Sequence, residues 1–258
     1  MTNFESQGAR WDMWAPFYDE DTKNQDASQC VSALTGIAGD GPALELGVGT
    51  GRIALPLGRN GIEVVGIDAS HAMLKQLHER TGELPVSGRH ADMAEFDLEQ
   101  RFPLVYIAAS SFFLLPTQEL QMACFVSAAR HLADGGRFAV EAAMPQSSGL
   151  AGPRDQMIVR EISEDHLKFS AFLHDPVTQT VRAQEVRFGG PPEEWRLLPN
   201  VMRYAYPAEL DLMARLAGLE LVSRTADWSG NPLKAASTHH VSVYTPQAPA
   251  TVTPGAPA

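Results

Sequence analysis

The feature that most constrains this chain is a glycine-rich segment, ELGVGTGR, at residues 45–52. It follows an apolar run typical of a buried strand and precedes a helical pattern in which Pro56 predicts a bend. Gly47, Gly49 and Gly51 let the backbone turn sharply and approach a ligand closely. The free N–H groups of the next helix would face an anionic part of that ligand. The segment therefore predicts a ligand site at a strand-to-helix turn.

Segments with strand character and segments with helical periodicity alternate along the first half of the chain. The pattern predicts strands at 43–47, 62–68, 85–90, 104–109 and 137–144, and helices at 26–38, 52–60, 72–80 and 117–133. Strands separated by helices at such short intervals imply crossover connections, and hence a mostly parallel α/β sheet.

The pattern changes after Pro145. Runs of β-type composition separated by turn residues predict an inserted antiparallel meander, with strands at 157–162, 166–174, 178–188 and 195–206. An amphipathic helix at 207–217 and strands at 219–225 and 240–244 return to the α/β pattern. The predicted divisions are an N-terminal helical cap (1–40), an α/β domain (41–150 and 207–245), a β-rich lid (151–206) and a disordered tail (246–258).

Charge and composition restrict the partners of this chain. Its 258 residues include 20 Lys and Arg against 31 Asp and Glu, which gives a net charge of −11 without a basic cluster. This balance argues against nucleic acid and against an anionic membrane surface. We see no signal peptide and no apolar run of the roughly 20 residues that span a bilayer. Two distant cysteines, with no metal-ligand spacing, favour the reducing cytoplasm and no metal site.

An acidic residue ends the second predicted strand, where it could face the same ligand as the glycines. Asp68 follows Gly51 by 17 residues, and a carboxylate there can accept hydrogen bonds from both ribose hydroxyls of an adenosine-type ligand. The glycine spacing is G-x-G-x-G, and not the G-x-G-x-x-G that aims a helix at a pyrophosphate. Glu45 is also poorly suited to a pyrophosphate, but it is compatible with a ligand that carries ammonium and sulfonium charge.

In these residues the chain resembles the class I S-adenosylmethionine-dependent methyltransferases. The resemblance extends over roughly residues 14–244, and the segments RYAYPAEL at 203–210 and WSGNP at 228–232 look most like bacterial natural-product members. The inserted β segment is similar to that of sugar N-methyltransferases and of glycine N-methyltransferase. The resemblance implies a Rossmann-like, seven-stranded sheet with its last strand antiparallel, a lid between strands five and six, and S-adenosylmethionine as cofactor.

The resemblance also implies which residues hold the cofactor. Asp68 would hold the ribose, and Met73 would pack on the adenine. Asp92 and the backbone of Met93 would contact the adenine edge. The carbonyl of Ala108 would hold the cofactor's amino group, and Tyr18 would close over the site. The complete expected set is Tyr18, Glu45, Gly47, Gly49, Gly51, Arg52, Asp68, Ala69, Met73, Asp92, Met93 and Ala108.

Residues for the methyl acceptor and for catalysis are less sharply indicated. A neutral amine acceptor needs no dedicated base, whereas a hydroxyl or carbon acid usually requires one, often a histidine. Candidates for a catalytic role are Glu141, His166, His174 and His240. Candidates for contact with the substrate are Ser110, Phe112, Glu141, Tyr204 and Trp228. Each of these residues also has an ordinary structural interpretation, as a packing or hydrogen-bonding side chain.

The sequence therefore predicts a methyltransferase that modifies a nitrogen or oxygen atom of a small, partly apolar metabolite, in secondary metabolism, with nitrogen slightly favoured. We expect a monomer or homodimer. Two other functions stay open at this point. One is a nicotinamide-dependent oxidoreductase on a related sheet, and the other is a module that binds S-adenosylmethionine without turnover.

Overall fold

A computed structural model describes residues 3–145, 155–189 and 195–248. In it the chain forms a seven-stranded sheet and a separate four-stranded sheet. The helices are α1 (Asn3–Thr22), α2 (Ser28–Ala38), α3 (Ala54–Arg59), α4 (His71–Thr81), α5 (Gln118–Arg130) and α6 (Pro207–Leu216). The strands are β1 (Ala43–Leu46), β2 (Val64–Asp68), β3 (Val86–His90), β4 (Phe102–Ile107), β5 (Leu132–Ala143), β6 (Asp155–Ile162), β7 (His166–Asp175), β8 (Thr180–Gly189), β9 (Arg196–Arg203), β10 (Leu219–Thr225) and β11 (His239–Pro246).

The large sheet has the strand order β10-β11-β5-β4-β1-β2-β3. Strands β1 to β5 pair in parallel, and β11 runs antiparallel to both β5 and β10. This confirms the predicted Rossmann-like fold with its last strand antiparallel. The order reverses between β1 and β4, so the loops that follow these two strands diverge and leave a crevice at the carboxyl edge.

Apolar side chains on the two faces of the large sheet form two cores. On one face, Leu34 of α2, Leu57 of α3 and Leu77 of α4 are fully buried in one cluster. On the other face, Phe125 of α5 and Leu210 of α6 are fully buried in a second cluster. Helices on both faces bury the strands of the centre completely, which explains why β1 and β4 are almost uniformly apolar.

The four-stranded sheet lies in the chain between β5 and α6, as the antiparallel meander predicted. Its order is β6-β7-β8-β9, with every neighbouring pair antiparallel. We refer to it as the lid sheet. The start of the predicted lid, up to residue 154, lies outside the described residues.

Two local predictions are wrong. The predicted helix at 52–60 begins only at Ala54. The N–H groups of Leu55 and Leu57 donate to the carbonyls of Gly51 and Ile53 at 2.9 and 3.2 Å, but Pro56 between them has no N–H to donate to Arg52, which delays the regular start of the helix. The tail begins later than residue 246, because β11 includes Pro246 and the Gln247 N–H donates to the carbonyl of Gly218 at 2.9 Å. Residues 249–258 of the predicted tail lie outside the described residues.

Candidate active site

The glycine loop leaves β1 in a left-handed backbone conformation. Gly49 has a φ of +55°, and a β-carbon there would meet no atom within 4 Å. Gly51 has a φ of +87°, but a β-carbon there would lie 2.5 Å from the Leu77 side chain and 2.8 Å from that of Leu55. The two glycines therefore serve different purposes. Gly49 leaves space open beside the loop, while Gly51 allows the first turn of α3 to pack against α4.

Asp68 ends β2 next to this loop. One of its carboxylate oxygens accepts a hydrogen bond from the Gly49 N–H at 2.8 Å, and the other accepts from the Ser70 N–H at 2.8 Å. Burial raises the pKa of Asp68, although these N–H donors act in the opposite direction. Each carboxylate oxygen has a second lone pair, so Asp68 can accept further hydrogen bonds from a ligand.

A cleft with a cavity volume of about 50 Å³ lies beside the loop. We call it the glycine-loop cleft. Among the predicted cofactor residues, those that line it are Tyr18, Gly47, Gly49, Asp68, Ala69, Met73 and Met93. The sequence analysis did not identify the remaining lining residues, which are Gln7, Trp11, Ser111 and Leu114.

Helix α1 supplies one wall of this cleft. Gln7, Trp11 and Tyr18 are separated by four and seven residues, which places them on one face of a helix. The Gln7 side-chain amide also donates to the carbonyl of Leu114 at 2.6 Å, and so joins α1 to the loop after β4. The helical spacing of Gln7, Trp11 and Tyr18 is the signal that could have revealed this wall from the sequence.

A second face of α1 packs on the start of α4. Gly8 approaches so closely that a β-carbon there would lie 2.3 Å from the Ala69 carbonyl oxygen. The Asp12 carboxylate accepts hydrogen bonds from the Ser70 hydroxyl at 2.6 Å and from the Ala72 N–H at 2.9 Å. An acidic side chain at a helix N-terminus also interacts favourably with the helix dipole.

Asp19, on the same face of α1, contacts the glycine loop itself. It accepts a hydrogen bond from the Thr50 hydroxyl at 2.7 Å and forms an ion pair with Arg80 of α4. These contacts lower the pKa of Asp19, despite the opposing effect of its partial burial. The sequence analysis placed Tyr18 at the cofactor, and its neighbour Asp19 holds the same turn of α1 against the loop.

A third face of α1 contacts the lid sheet. The Trp14 indole N–H donates to the carbonyl of Pro199 at 3.2 Å. Asp21 forms ion pairs with Lys168, at 2.7 Å, and with Arg187. Helix α1 is therefore held by both the glycine-loop side and the lid sheet.

Glu45 lies beneath the glycine-loop cleft and does not line it. Its side chain is 4% exposed and accepts a hydrogen bond from the Tyr106 hydroxyl at 2.8 Å, across the β1–β4 pair. Burial raises the pKa of Glu45 to about 8, although Tyr106 and the charge of Arg52 act against this shift. Its carboxylate is engaged within the sheet, so contact between Glu45 and the cofactor stays a prediction that this packing does not favour.

Arg52 stands at a second cleft. Its charge acts on both Tyr18 and Glu45. This cleft has a cavity volume of about 490 Å³, and we call it the polar cleft. The polar and charged side chains that line it are Gln25, Asp26, Gln29, Cys30, Arg52, Ser110, Glu141, Asp227, Trp228 and His239.

The remaining predicted cofactor residues lie outside the glycine-loop cleft. Gly51 is buried in the helix contact described above. Asp92 accepts a hydrogen bond from the Ala94 N–H at 2.8 Å, and it does not line the cleft. The Ala108 carbonyl accepts from the Ser111 N–H at 3.1 Å, which fixes the turn after β4.

The predicted substrate residues separate into two groups. Ser110, Glu141 and Trp228 all line the polar cleft. Phe112 and Tyr204 do not line either cleft. Phe112 is fully buried and packs edge-on against Phe125 of α5, and Tyr204 is 3% exposed. Contact of these two rings with a substrate stays a prediction that their core packing does not favour.

Among the catalytic candidates, only Glu141 lies at a cleft. One of its oxygens accepts a hydrogen bond from the Ala109 N–H at 2.7 Å. His166 is exposed beside Asp165, and the His174 ring bonds the Tyr204 hydroxyl at 2.9 Å within the lid sheet. His240 is fully buried, and burial lowers its pKa to about 4. These three histidines line neither cleft, so the structure does not support a catalytic role for them.

The chemistry of the glycine-loop cleft fits the adenosyl part of S-adenosylmethionine. Apolar side chains of Met73 and Met93 suit a purine, and the Asp68 carboxylate suits ribose hydroxyls. Beside Gly49 no atom lies within 4 Å of where a β-carbon would stand, so the loop leaves room there that a side chain would occupy. The described residues hold no group of three or more His, Cys, Asp or Glu placed to share a metal ion. None of the described helices is long and apolar enough to cross a membrane.

Comparison with known proteins agrees with this geometry. Residues 43–136 match a family described as a methyltransferase domain. The CcbJ methyltransferase from Streptomyces caelestis is 37% identical, with a TM-score of 0.85, and the match covers 94% of this chain and 99% of that one. The cypemycin N-terminal methyltransferase of a Streptomyces species is 27% identical over 194 residues, which are 75% of this chain and 78% of that protein.

A third similar protein shares the fold at lower identity. It is CalS10, an amino pentose methyltransferase from Micromonospora echinaspora whose structure contains S-adenosylmethionine. It is 19% identical, with a TM-score of 0.66, and the match covers 88% of this chain and 94% of that one. From its fold, its glycine loop and the extent of its similarity to CcbJ, this chain belongs to the S-adenosylmethionine-dependent methyltransferases.

Proposed function

We propose that this methyltransferase transfers a methyl group to a nitrogen atom of a small natural-product molecule in bacterial secondary metabolism. The observation that carries the proposal is the adjacency of the two clefts. Ser111 lines the glycine-loop cleft, and its neighbour Ser110 lines the polar cleft. A cofactor in the first cleft and an acceptor in the second would therefore meet at the loop after β4.

The residues of the glycine-loop cleft would bind the nucleoside part of the cofactor. Met73 and Met93 would enclose the adenine, and Asp68 would accept hydrogen bonds from the ribose. Tyr18 and Arg52 lie at the side of the loop that faces the polar cleft, where the Arg52 guanidinium suits a carboxylate. Helix α1 would exclude water, because Gln7 and Trp11 cover the open side.

When bound, S-adenosylmethionine would supply an electrophilic methyl group to the acceptor nitrogen. Sulfur would keep the electrons of the broken carbon–sulfur bond, and the methylated amine would lose its surplus proton to solvent. The protein's task is then to hold a neutral amine in line with that methyl group, which supplies much of the rate. Glu141 is placed to accept a hydrogen bond from the amine and to orient it.

The relatives favour nitrogen over oxygen as the acceptor atom. One is named an N-terminal methyltransferase, and another an amino pentose methyltransferase. An oxygen acceptor stays a second candidate, because His239 lines the polar cleft and could accept a hydroxyl proton. Matched amine and alcohol acceptors would separate these two reactions.

Calorimetry with S-adenosylhomocysteine tests the cofactor site. We expect binding at micromolar concentration that Asp68→Ala weakens at least tenfold, with no binding of NADH. Absence of S-adenosylhomocysteine binding, or equal affinity in Asp68→Ala, would exclude the proposal. Transfer of labelled methyl groups to a small amine would then distinguish an enzyme from a module that only binds the cofactor.

A further inference from the structure

The polar cleft is built differently from the glycine-loop cleft. It lies at the carboxyl edge of the large sheet, between the start of α2, the loop after β4, β5 and the segment after β10. Side chains that form hydrogen bonds dominate its lining, and Ile53 is the aliphatic exception among the larger ones. Its cavity volume, about 490 Å³, is about ten times that of the glycine-loop cleft, about 50 Å³. These properties suit a hydrophilic ligand of substantial size.

Two residues of this lining have buried donors without a partner in the part of the chain that the structure describes. They are the Nε atom of Arg52 and the indole Nε1 of Trp228. A buried donor without an acceptor destabilises the protein, because it has lost its hydrogen bonds to water. The cofactor carboxylate proposed for Arg52 would supply one of the missing acceptors, and a hydroxyl oxygen of the methyl acceptor would supply the other, to the Trp228 indole N–H.

The charges around the polar cleft are mostly negative. Asp26, Glu141 and Asp227 contribute three carboxylates, against one guanidinium from Arg52. Hydrogen bonds from Asn231 and Ser229 lower the pKa of Asp227, and bonds from Ser28 lower that of Asp26, so both stay charged at neutral pH. An excess of carboxylates attracts cations and disfavours phosphates.

We propose that the polar cleft is the acceptor site and that it takes a polyhydroxylated amine in its free, cationic form, not one joined to a phosphate or nucleoside diphosphate. This inference rests on the proposed function, and it specifies the class of acceptor. Glu141 attracts and orients the amino group, while the Trp228 indole N–H donates to a hydroxyl oxygen. The ammonium form enters the cleft, and the amine loses a proton to water before it is methylated.

Ligand-observed NMR and calorimetry test this inference with saturating S-adenosylhomocysteine present. The probes are D-glucosamine, D-glucose and glucosamine 6-phosphate, which differ in the amino group and in the phosphate. We expect glucosamine to bind at least tenfold more tightly than either of the other two. Glu141→Gln should weaken the binding of glucosamine at least fivefold, because glutamine keeps an acceptor for the Ala109 N–H but removes the negative charge. Trp228→Phe should weaken it by a smaller factor.

The controls separate this inference from the proposed function. Glu63→Gln changes an exposed carboxylate far from the polar cleft, and it should leave every affinity unchanged. All variants should bind S-adenosylhomocysteine as the wild type does. Equal or tighter binding of glucosamine 6-phosphate, no binding of glucosamine, or full affinity in Glu141→Gln would overturn the inference. If S-adenosylhomocysteine itself does not bind the wild type, it is the proposed function that fails.

Discussion

Gly8 of α1 packs directly against the carbonyl of Ala69, and a β-carbon at position 8 would lie 2.3 Å from that oxygen. The contact brings α1 onto the turn between β2 and α4, beside the carboxylate of Asp68. It therefore determines how closely the wall formed by Gln7 and Trp11 approaches the glycine loop. A backbone carbonyl cannot move aside as a flexible side chain can, so the spacing depends on the glycine.

Gly8→Ala should weaken the binding of S-adenosylhomocysteine at least tenfold, because α1 must move away from Ala69. Calorimetry measures the effect. Gly36→Ala is the matched control, since Gly36 also lies within a helix but has open space around it. That control should keep its affinity and gain about 0.5–1 kcal/mol of stability. Equal affinities for the two variants would contradict the role of this contact.

Substitutions in the glycine loop should separate ligand binding from folding. Gly49→Ala should bind S-adenosylhomocysteine at least tenfold more weakly, with only the modest loss of stability of about 1–2 kcal/mol that a left-handed alanine costs. Gly51→Ala should lower the free energy of unfolding by more, since its β-carbon overlaps Leu55 and Leu77. Urea denaturation and calorimetry on both variants check this, and a more severe loss of stability in Gly49→Ala would refute it.

Glu45 should make the protein less stable as the pH rises. Its pKa is about 8 in the folded chain and 4.5 without the fold, so the folded state holds the extra proton between these values. The free energy of unfolding should fall across this window, by at most roughly 1.4 kcal/mol per pH unit from this group. Glu45→Gln should flatten the profile, whereas Glu63→Gln on the surface should not. Parallel profiles for the two variants would argue against the raised pKa.

His240 should act in the opposite direction at lower pH. Burial lowers its pKa from 6.5 to about 4, so the unfolded chain binds the extra proton between these values. The contribution of His240 to stability should therefore rise with pH from about 4 to 6.5 and then level off, and in the overlapping range it opposes the fall that comes from Glu45. His240→Asn should remove part of this rise, while His239→Asn, at an exposed neighbour, should leave it unchanged. Thermal denaturation at several pH values is the measurement, and an unaltered rise in His240→Asn would be the contrary result.

The ion pairs of Asp21 should stabilise the attachment of α1 to the lid sheet. Lys168 and Arg187 also contact Glu185, so Asp21→Asn leaves two cations with one carboxylate in a largely buried position. We expect a loss of about 1–3 kcal/mol and faster amide exchange in α1. Glu20→Gln, which alters an exposed pair with Lys23, is the control. Unchanged exchange in Asp21→Asn would show that the ion pairs do not hold the helix.

Much of the fold could be predicted from local patterns. The alternation of strands and helices gave the parallel sheet, and turn residues gave the four-stranded insertion. Ser70, a residue type that favours helix N-termini, caps α4, and its hydroxyl accepts from the Met73 N–H at 3.0 Å. Strands, helices, turns and caps depend on residues that are close together in the sequence, so the conformational preferences of those residues can be read from the sequence itself. The length of α1 was harder to predict, because Pro16 lies within it.

Taken alone, the sequence determined the fold class, the glycine loop, the acid at the end of β2 and the family resemblance, because each is a short-range pattern. Only the tertiary structure decided what each side chain faces. It buried Glu45 against Tyr106, placed Phe112 and Tyr204 in packed interiors, and separated His240 from both clefts. It also brought Arg52, Glu141 and Trp228 together from distant parts of the chain. The physical reason is that burial and charge environment depend on contacts between residues far apart in sequence, which no local spacing encodes.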